Sequence, residues 1–233
     1  MTGFTGELPP ARFNLTRYCL AQSAREHAGK IALTIADGTG YQTLSFAEIE
    51  DIVLRLASAF RLLGFERGAR ILIRMGNSFD YAAVFFAANA AELVPIPASS
   101  MLSVDEISFI LSDSQAAAIV HDGLLDLPDL PVGCRLITPA DIAAFKSGQR
   151  GQYADTAATT PAYMVYTSGT SGRPKGVLHA QRAAWGRRPM YQGWYGINSE
   201  DTILHTGAFN WTYTLGTALF DPWANGASSI VYT

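Results

Sequence analysis

The sequence is poor in cysteine and in charged residues, and each shortage argues against a class of protein. The two cysteines, Cys19 and Cys134, lie far apart and outside any CxxC or Cys/His cluster, so neither a disulfide framework nor a zinc site is indicated. Two free buried thiols in a reducing compartment fit this pattern better than a single disulfide. Charged residues make up 16% of the chain and the formal net charge is −3, so no strongly basic face and no nucleic-acid partner are expected.

Long apolar runs and targeting segments are also missing. The first 14 residues contain no basic stretch followed by an apolar core, so no secretory signal peptide is expected. The most apolar run, residues 81–91, is too short to cross a bilayer and contains Asn89. We therefore expect a cytoplasmic protein without a membrane span.

What the chain does contain is a regular alternation of helical and strand patterns. Residues 45–64 begin with Ser45 and Glu48 at the spacing of a capping box, and apolar residues then recur at helical intervals on one face. Ser103 and Glu106 have the same spacing and predict the start of another helix. Each of these helices is expected to bury its apolar face.

A third helix is predicted over residues 78–90, with Asn77 as its cap. It is apolar on most sides, which indicates that it lies between other elements. Short apolar or β-branched runs predict strands at 69–75, 92–99, 116–121, 162–167, 176–180, 201–206 and 227–233.

Strands that alternate with helices of this length predict an α/β fold with mostly parallel β-sheets flanked by helices. Residues 122–160 are less regular, and the turn formers and small polar residues at 124–133 and 146–161 are interpreted as surface connections, the second of which would end a first lobe. Residues 181–196 are mainly helical in pattern, and Pro189 is expected to bend or break that helix.

The stretch "YTSGTSGRPKGV", residues 166–177, follows a predicted strand and combines glycine, hydroxyl side chains and one lysine. Glycine lets backbone amides converge on an anion, hydroxyls add donors and lysine adds a point charge, so the stretch predicts a phosphate-binding loop. The Walker A pattern does not fit. Counted from Gly169, it requires glycine where Pro174 stands and a hydroxyl residue where Gly176 stands.

The same stretch resembles the signature loop of the adenylate-forming superfamily, which includes acyl-CoA and aryl-CoA synthetases. The matching residues are Thr167, Ser168, Gly169, Thr170, Gly172, Pro174, Lys175 and Gly176. Ser171 stands where threonine is usual. Residues 43–78, 85–120 and 204–233 are also similar to family segments, although Ala69 and Glu92 replace a familiar aspartate and glycine. The likeness runs from about residue 12 to the end of the chain.

This resemblance implies the first part of the N-terminal domain of an adenylate-forming enzyme. Residues 1–160 would form the first α/β lobe, residues 161–233 would carry the phosphate loop and the acyl pocket, and the C-terminal lid would lie outside the chain. The implied reaction joins a carboxylic acid to the thiol of coenzyme A through an acyl-adenylate. It requires ATP, Mg²⁺ and coenzyme A, and fatty acid metabolism is the expected setting.

The resemblance also implies roles for individual residues. Phosphate binding would fall to Thr167, Ser168, Gly169, Thr170, Ser171, Gly172 and Lys175, with Lys175 also acting in catalysis. Pro174 would fix the approach of Lys175. The acyl group would contact His205, Phe209, Asn210 and Trp211, and the bulk of Trp211 would favour a short, medium or aromatic acid. His179 is interpreted as structural.

Two other functions remain open at this point. The chain is also compatible with an adenylation domain that loads a carrier protein, or with a non-catalytic module that binds an anion or a partner chain. The family's adenine-binding stretch, ribose-binding aspartate and lid lysine are not found among these 233 residues. By itself the chain is therefore expected to complete neither half-reaction.

Overall fold

Three β-sheets organise the chain in a computed structural model that describes residues 6–167 and 173–233. The strands are β1 Ile31–Asp37, β2 Gly40–Ser45, β3 Arg70–Arg74, β4 Val94–Pro97, β5 Ala118–His121, β6 Arg135–Ile137, β7 Pro161–Thr167, β8 Lys175–Ala180, β9 Thr202–His205 and β10 Ser228–Tyr232. The helices are α1 Leu15–Glu26, α2 Phe46–Leu62, α3 Phe79–Ala90, α4 Val104–Ser114, α5 Pro139–Lys146, α6 Arg188–Met190, α7 Thr212–Thr214 and α8 Asp221–Ala224.

Parallel pairing dominates the two larger sheets, which confirms the predicted fold class. The four-stranded sheet B has the order β4-β3-β5-β6, and all of its pairs are parallel. Sheet A has the order β2-β1-β10-β9, with one antiparallel pair between β1 and β2. The remaining strands, β7 and β8, form an antiparallel hairpin.

Sheet A brings together distant parts of the chain. Strands β1 and β2 come from the first predicted segment, whereas β9 and β10 come from the second. The indole of Trp223 in α8 donates a hydrogen bond to the backbone oxygen of Ala32 in β1, at 3.0 Å. The two segments therefore fold together in sheet A, and the division after residue 160 stays a prediction about domain organisation.

The capping boxes predicted for α2 and α4 are confirmed. The Glu48 carboxylate accepts from the Ser45 amide at 2.7 Å, while the Ser45 hydroxyl accepts from the Glu48 amide. Ser103 and Glu106 make the same reciprocal pair at the start of α4. Each pair satisfies backbone donors that a helix start leaves without a partner.

One prediction about local structure was wrong. The cap of α3 is Ser78 and not Asn77, because the Ser78 hydroxyl accepts from the Tyr81 amide at 3.1 Å. The turn-rich stretches 124–133 and 147–160 are connections, as predicted, and two elements that were not predicted, β6 and α5, lie between them. Helix α5 begins at Pro139, after a capping box formed by Thr138 and Asp141.

The predicted break in the helical segment at 181–196 is confirmed. This segment consists of short pieces: two 3₁₀ turns at Gln181–Ala183 and Trp185–Arg187, α6 around Pro189, and a π-helical turn at Tyr191–Tyr195. Proline removes a backbone donor and clashes with the preceding turn, so a regular α-helix through residue 189 is disfavoured.

Helix α3 is buried on every side, as its apolar composition predicts. Every residue from Tyr81 to Ala90 is buried. The ring of Phe86 lies 4.9 Å from that of Trp223, and the ring of Phe85 lies 5.7 Å from that of Tyr163 in the hairpin. These contacts join α3 to both α8 and β7, so the core runs between the sheets.

Both cysteines are free, as expected. Cys19 is buried in α1, but the predicted burial of Cys134 was wrong, because this residue is partly exposed. Burial raises the pKa of the Cys19 thiol well above its ordinary value. Among the described residues, no helix combines the length and the apolar character that a membrane span requires.

Asn89 is the polar exception in the apolar run, and its side chain has partners on two other elements. Its Nδ2 donates to the Ala162 carbonyl oxygen at 3.0 Å. Its Oδ1 accepts from the Thr16 amide at 3.2 Å, while the Thr16 hydroxyl donates to the Phe86 carbonyl oxygen at 2.8 Å. This one side chain therefore ties α3 to both α1 and β7.

We predict that Asn89→Leu lowers the free energy of unfolding by about 2–4 kcal/mol, because buried groups of Thr16 and Ala162 lose their partners. Urea denaturation would measure the change. The matched substitution Gln22→Leu on the exposed side of α1 should change stability by less than about 0.5 kcal/mol. Equal stability of the two variants would contradict the role given to Asn89.

Candidate functional site

A cavity of about 530 Å³ lies where the ends of β4 and β7 meet the segment that follows β9. We call it the site cavity. It is lined by Ile96, Pro97, Ala98, Ser99, Leu102, Glu106, Ile110, Val165, Tyr166, Thr167, Pro174, Asn210, Trp211 and Thr212. Ligands of α/β proteins bind preferentially beyond the carboxyl ends of parallel strands, and β4 ends here.

The hairpin brings both ends of the predicted phosphate loop to this cavity. Thr167 is the last residue of β7 and pairs with Lys175, the first residue of β8. Thr167 and Pro174 line the cavity directly. The loop residues predicted between them, Ser168, Gly169, Thr170, Ser171 and Gly172, lie outside the described residues.

Lys175 differs from the other two lysines of the chain. Lys146 is paired with Asp80, and Lys30 donates to the backbone oxygens of Ser199 and Gly226. Lys175 is exposed, and within residues 6–167 and 173–233 no carboxylate lies within ion-pair distance of it. Its ammonium group is therefore not committed to another described part of the fold.

Gly176 allows the hairpin to close tightly beside the cavity. A Cβ atom at this position would lie 2.9 Å from the sulfur of Met164 and 3.3 Å from Cζ of Tyr166. Tyr166 itself is held in place, since its hydroxyl donates to the Asp113 carboxylate at 2.6 Å. Burial, together with this acceptor, raises the pKa of Tyr166, so the phenol keeps its proton.

The predicted acyl-pocket residues divide into two groups. Asn210 and Trp211 line the site cavity, and 66% of Trp211 is exposed. Phe209 is fully buried, with its ring 5.6 Å from that of Tyr81, so it supports the wall from behind. His205 is half-buried and lies outside the lining residues. The acyl contacts assigned to these four residues stay predictions.

The imidazole of His205 makes its hydrogen bond within the loop that follows β9. Its Nδ1 accepts from the Gly207 amide at 3.0 Å, and its ring lies 5.6 Å from that of Tyr213. Burial lowers the pKa of His205, which favours the neutral imidazole that this hydrogen bond requires.

Sequence reasoning missed part of the lining. The sequence predicts no binding role for Tyr166, and it predicts only the end of a strand for residues 96–99, yet all of them line the site cavity. The signal was available for residues 96–99, because a predicted parallel strand ending in a Pro-containing turn marks the ligand-binding edge of a sheet. For Leu102, Glu106 and Ile110 no local signal existed, since their positions follow from how α4 packs.

His179 lies away from the cavity and stacks on a tyrosine of the hairpin. Its ring is 4.4 Å from that of Tyr163, with 7° between the planes. Burial lowers the pKa of His179 and raises that of Tyr163 to about 12. This arrangement supports the structural interpretation of His179.

We predict that His179 makes the protein less stable at acid pH. In the unfolded chain histidine titrates near pH 6.5, whereas in the folded protein His179 takes up its proton only at lower pH. As the pH falls below about 6.5, the unfolded state binds the proton first and the free energy of unfolding decreases. His205 contributes in the same direction.

In His179→Phe, which keeps an aromatic ring against Tyr163, the stability difference between pH 7.5 and pH 5.5 should become smaller. Urea denaturation at the two pH values would measure it. Tyr163→Phe retains the histidine and should keep the wild-type difference. An unchanged difference in His179→Phe would contradict the prediction.

No metal centre is evident in the described part of the chain. Across residues 6–167 and 173–233, no group of three or more His, Cys, Asp or Glu side chains is arranged to hold a metal ion. The described residues of the site form a partly apolar cavity beside the two ends of the predicted phosphate loop, Thr167 and Pro174.

Comparisons with known proteins identify the family of the chain. The sequence model of the family "AMP-binding enzyme" matches residues 20–233. A 4-hydroxybenzoate-CoA/benzoate-CoA ligase of Rhodopseudomonas palustris is 28% identical over 90% of this chain and 41% of its own length. The long-chain-fatty-acid-CoA ligase FadD13 of Mycobacterium tuberculosis is 28% identical over 69% of this chain and 34% of its own length.

A solved structure of a CoA ligase is also similar to this chain. The benzoate CoA ligase of Burkholderia xenovorans LB400 superposes with a TM-score of 0.81 at 26% identity, over 94% of this chain and 45% of the ligase. The chain thus spans less than half the length of these three similar proteins.

Proposed function

Because the chain belongs to the family of AMP-binding enzymes, we propose that the whole protein is an ATP-dependent acid–thiol ligase. A carboxylate oxygen of the acid attacks the α-phosphorus of ATP, the bond to the β-phosphate breaks, and pyrophosphate leaves. The sulfur of coenzyme A then attacks the acyl carbon, and AMP leaves. The similarity to aryl-CoA and acyl-CoA ligases supports this reaction class.

The observation that carries the proposal is the composition of the cavity rim. Thr167 and Pro174, the described residues that flank the hydroxyl-rich loop, stand on the same cavity as Asn210 and Trp211. A ligase of this kind must hold a polyphosphate and a carboxylate, two anions that repel each other, at bonding distance. A cavity that holds the two ends of a phosphate-binding loop together with apolar wall residues would meet that need.

In this proposal the loop and Lys175 bind the phosphates, and Asn210 and Trp211 bind the acid. Hydroxyl and amide donors of the loop, with the Lys175 ammonium, bind the β- and γ-phosphates and stabilise the charge that develops as pyrophosphate departs. Asn210 and Trp211 orient the acid. Mg²⁺ is expected to neutralise phosphate charge when bound, and we assign none of the described residues to it.

We propose an aromatic or short acid as the substrate. The cavity wall includes the apolar side chains of Leu102, Ile110 and Val165, and the largely exposed Trp211 lines the same cavity. An aromatic ring can pack against aliphatic side chains and against the indole, and the bulk of the indole limits the length of acid that the cavity accepts. The cytoplasmic location and a role in fatty acid metabolism stay predictions.

The exchange of labelled pyrophosphate into ATP, measured on the whole protein over a panel of carboxylic acids, tests the first half-reaction. We predict that Lys175→Ala lowers kcat/KM for this exchange roughly 100-fold, because one preorganised charged donor to the phosphates is lost. Lys146→Ala removes a lysine that pairs with Asp80, and should leave the exchange unchanged.

Failure of every acid to support exchange would contradict the ligase proposal, as would an equal effect of the two lysine variants. Adding coenzyme A or a carrier protein with its thiol to the same reaction separates the proposed CoA ligase from a carrier-loading adenylation domain. Only the correct thiol should release AMP and form a thioester.

We also predict that Trp211 restricts the length of the acid. In Trp211→Ala, the ratio of kcat/KM for octanoate to kcat/KM for benzoate should rise about tenfold, since removing the indole opens the rim to further methylene groups. The matched control is Trp194→Ala, because Trp194 is similarly exposed but stacks on Tyr195 outside the cavity. A ratio that rises equally in both variants would contradict the assignment.

A further inference from the structure

Asn77 connects two loops that are far apart in the sequence. Its Nδ2 donates to the Gly207 carbonyl oxygen at 3.1 Å, and its Oδ1 accepts from the Phe209 amide at 2.8 Å. Asn77 lies between β3 and α3, whereas the residues it binds lie between β9 and α7. It does not cap α3, because Ser78 does so. Its side chain is therefore committed to the segment that leads into the cavity wall.

An asparagine suits this position for a chemical reason. The carboxamide offers one oxygen acceptor and one nitrogen donor, and the two backbone groups it meets are one donor and one acceptor. Aspartate would place a negative oxygen against the Gly207 carbonyl, and an aliphatic residue would leave both backbone groups without a partner. The two bonds also determine the orientation of the Asn77 amide.

Other contacts also restrict residues 207–209, the segment that Asn77 binds. A Cβ atom on Gly207 would collide with the Thr214 hydroxyl and with the His205 ring. The Trp211 amide donates to the Ala208 carbonyl oxygen at 3.1 Å, which closes a turn directly after the bound residues. Phe209 is buried against Tyr81 of α3. Residues 207–209 are thus fixed from both their polar and their apolar sides.

We propose that Asn77 is a positioning residue for the acid-binding wall of the site cavity. It acts through residues 207–209 on Asn210 and Trp211, the two wall residues that follow them. This inference rests on the proposed ligase function. The phosphate-loop residues Thr167 and Lys175 lie on the hairpin, which Asn77 does not contact through any hydrogen bond of the described residues.

Because the described residues that Asn77 binds lie at the acid-binding wall and not on the hairpin, its substitution should affect the KM for the acid more than the KM for ATP. In the whole protein, Asn77→Ala should raise the KM for the acid about tenfold in pyrophosphate exchange, because two backbone hydrogen bonds that fix the wall are lost. The KM for ATP should change less than about twofold. The control is Ser78→Ala, which weakens the start of the same helix without touching residues 207–209 and should leave the KM for the acid unchanged.

Amide hydrogen exchange tests the contact independently of activity. The Phe209 amide should exchange faster in Asn77→Ala than in wild type, and should stay slow in Asn77→Asp, which keeps the acceptor oxygen. Unchanged exchange at Phe209 in Asn77→Ala would overturn the proposal. So would an equal rise in KM for acid and ATP, or a rise in the KM for acid in Ser78→Ala.

A different result would refute the ligase proposal itself. Wild-type protein that shows no pyrophosphate exchange with any acid would refute the function and, with it, the role of Asn77 in acid binding. The hydrogen-exchange result would then report only whether the contact exists.

Discussion

Burial of helix α3 from Tyr81 to Ala90 is the constraint on which the rest of the structure depends. A helix that is apolar around its whole circumference must be enclosed by other elements on all sides. Here the hairpin contributes Tyr163, α8 contributes Trp223, and the segment after β9 contributes Phe209. Since the hairpin carries one side of the site cavity and the segment after β9 carries the other, both sides share a single support.

Local chemistry accounts for what could be predicted from the sequence. The capping boxes at Ser45 and Ser103 involve residues three apart, and the pairing of strands with helices follows from the alternation of short patterns. The same reasoning should have found α5, because Thr138 and Asp141 have the capping-box spacing with proline between them. That signal was hidden by the turn-forming residues around it.

Long-range contacts account for what could not be predicted. Asparagine is a common helix cap, so the sequence around Asn77 predicts that role. Its side chain instead bonds to the backbone of Gly207 and Phe209, about 130 residues later, and this contact depends on the tertiary fold. Asn210 and Trp211 were predicted from resemblance, but their place beside Pro97 and Ile110 depends on how sheet B meets the hairpin. A motif therefore indicated the chemistry of the site, and packing determined its walls.

The order of strands in sheet A has a consequence for how the protein is made. Strand β1 takes β10 as its parallel neighbour, and Ile35 pairs with Val231, about 200 positions later. At roughly 5–20 residues per second, a ribosome takes about 10–40 s to synthesise the intervening chain. During that interval β2 can protect one edge of β1, while the other edge has no partner strand. The unpaired edge of nascent β1 is thus exposed to premature pairing with other chains until β10 has been synthesised.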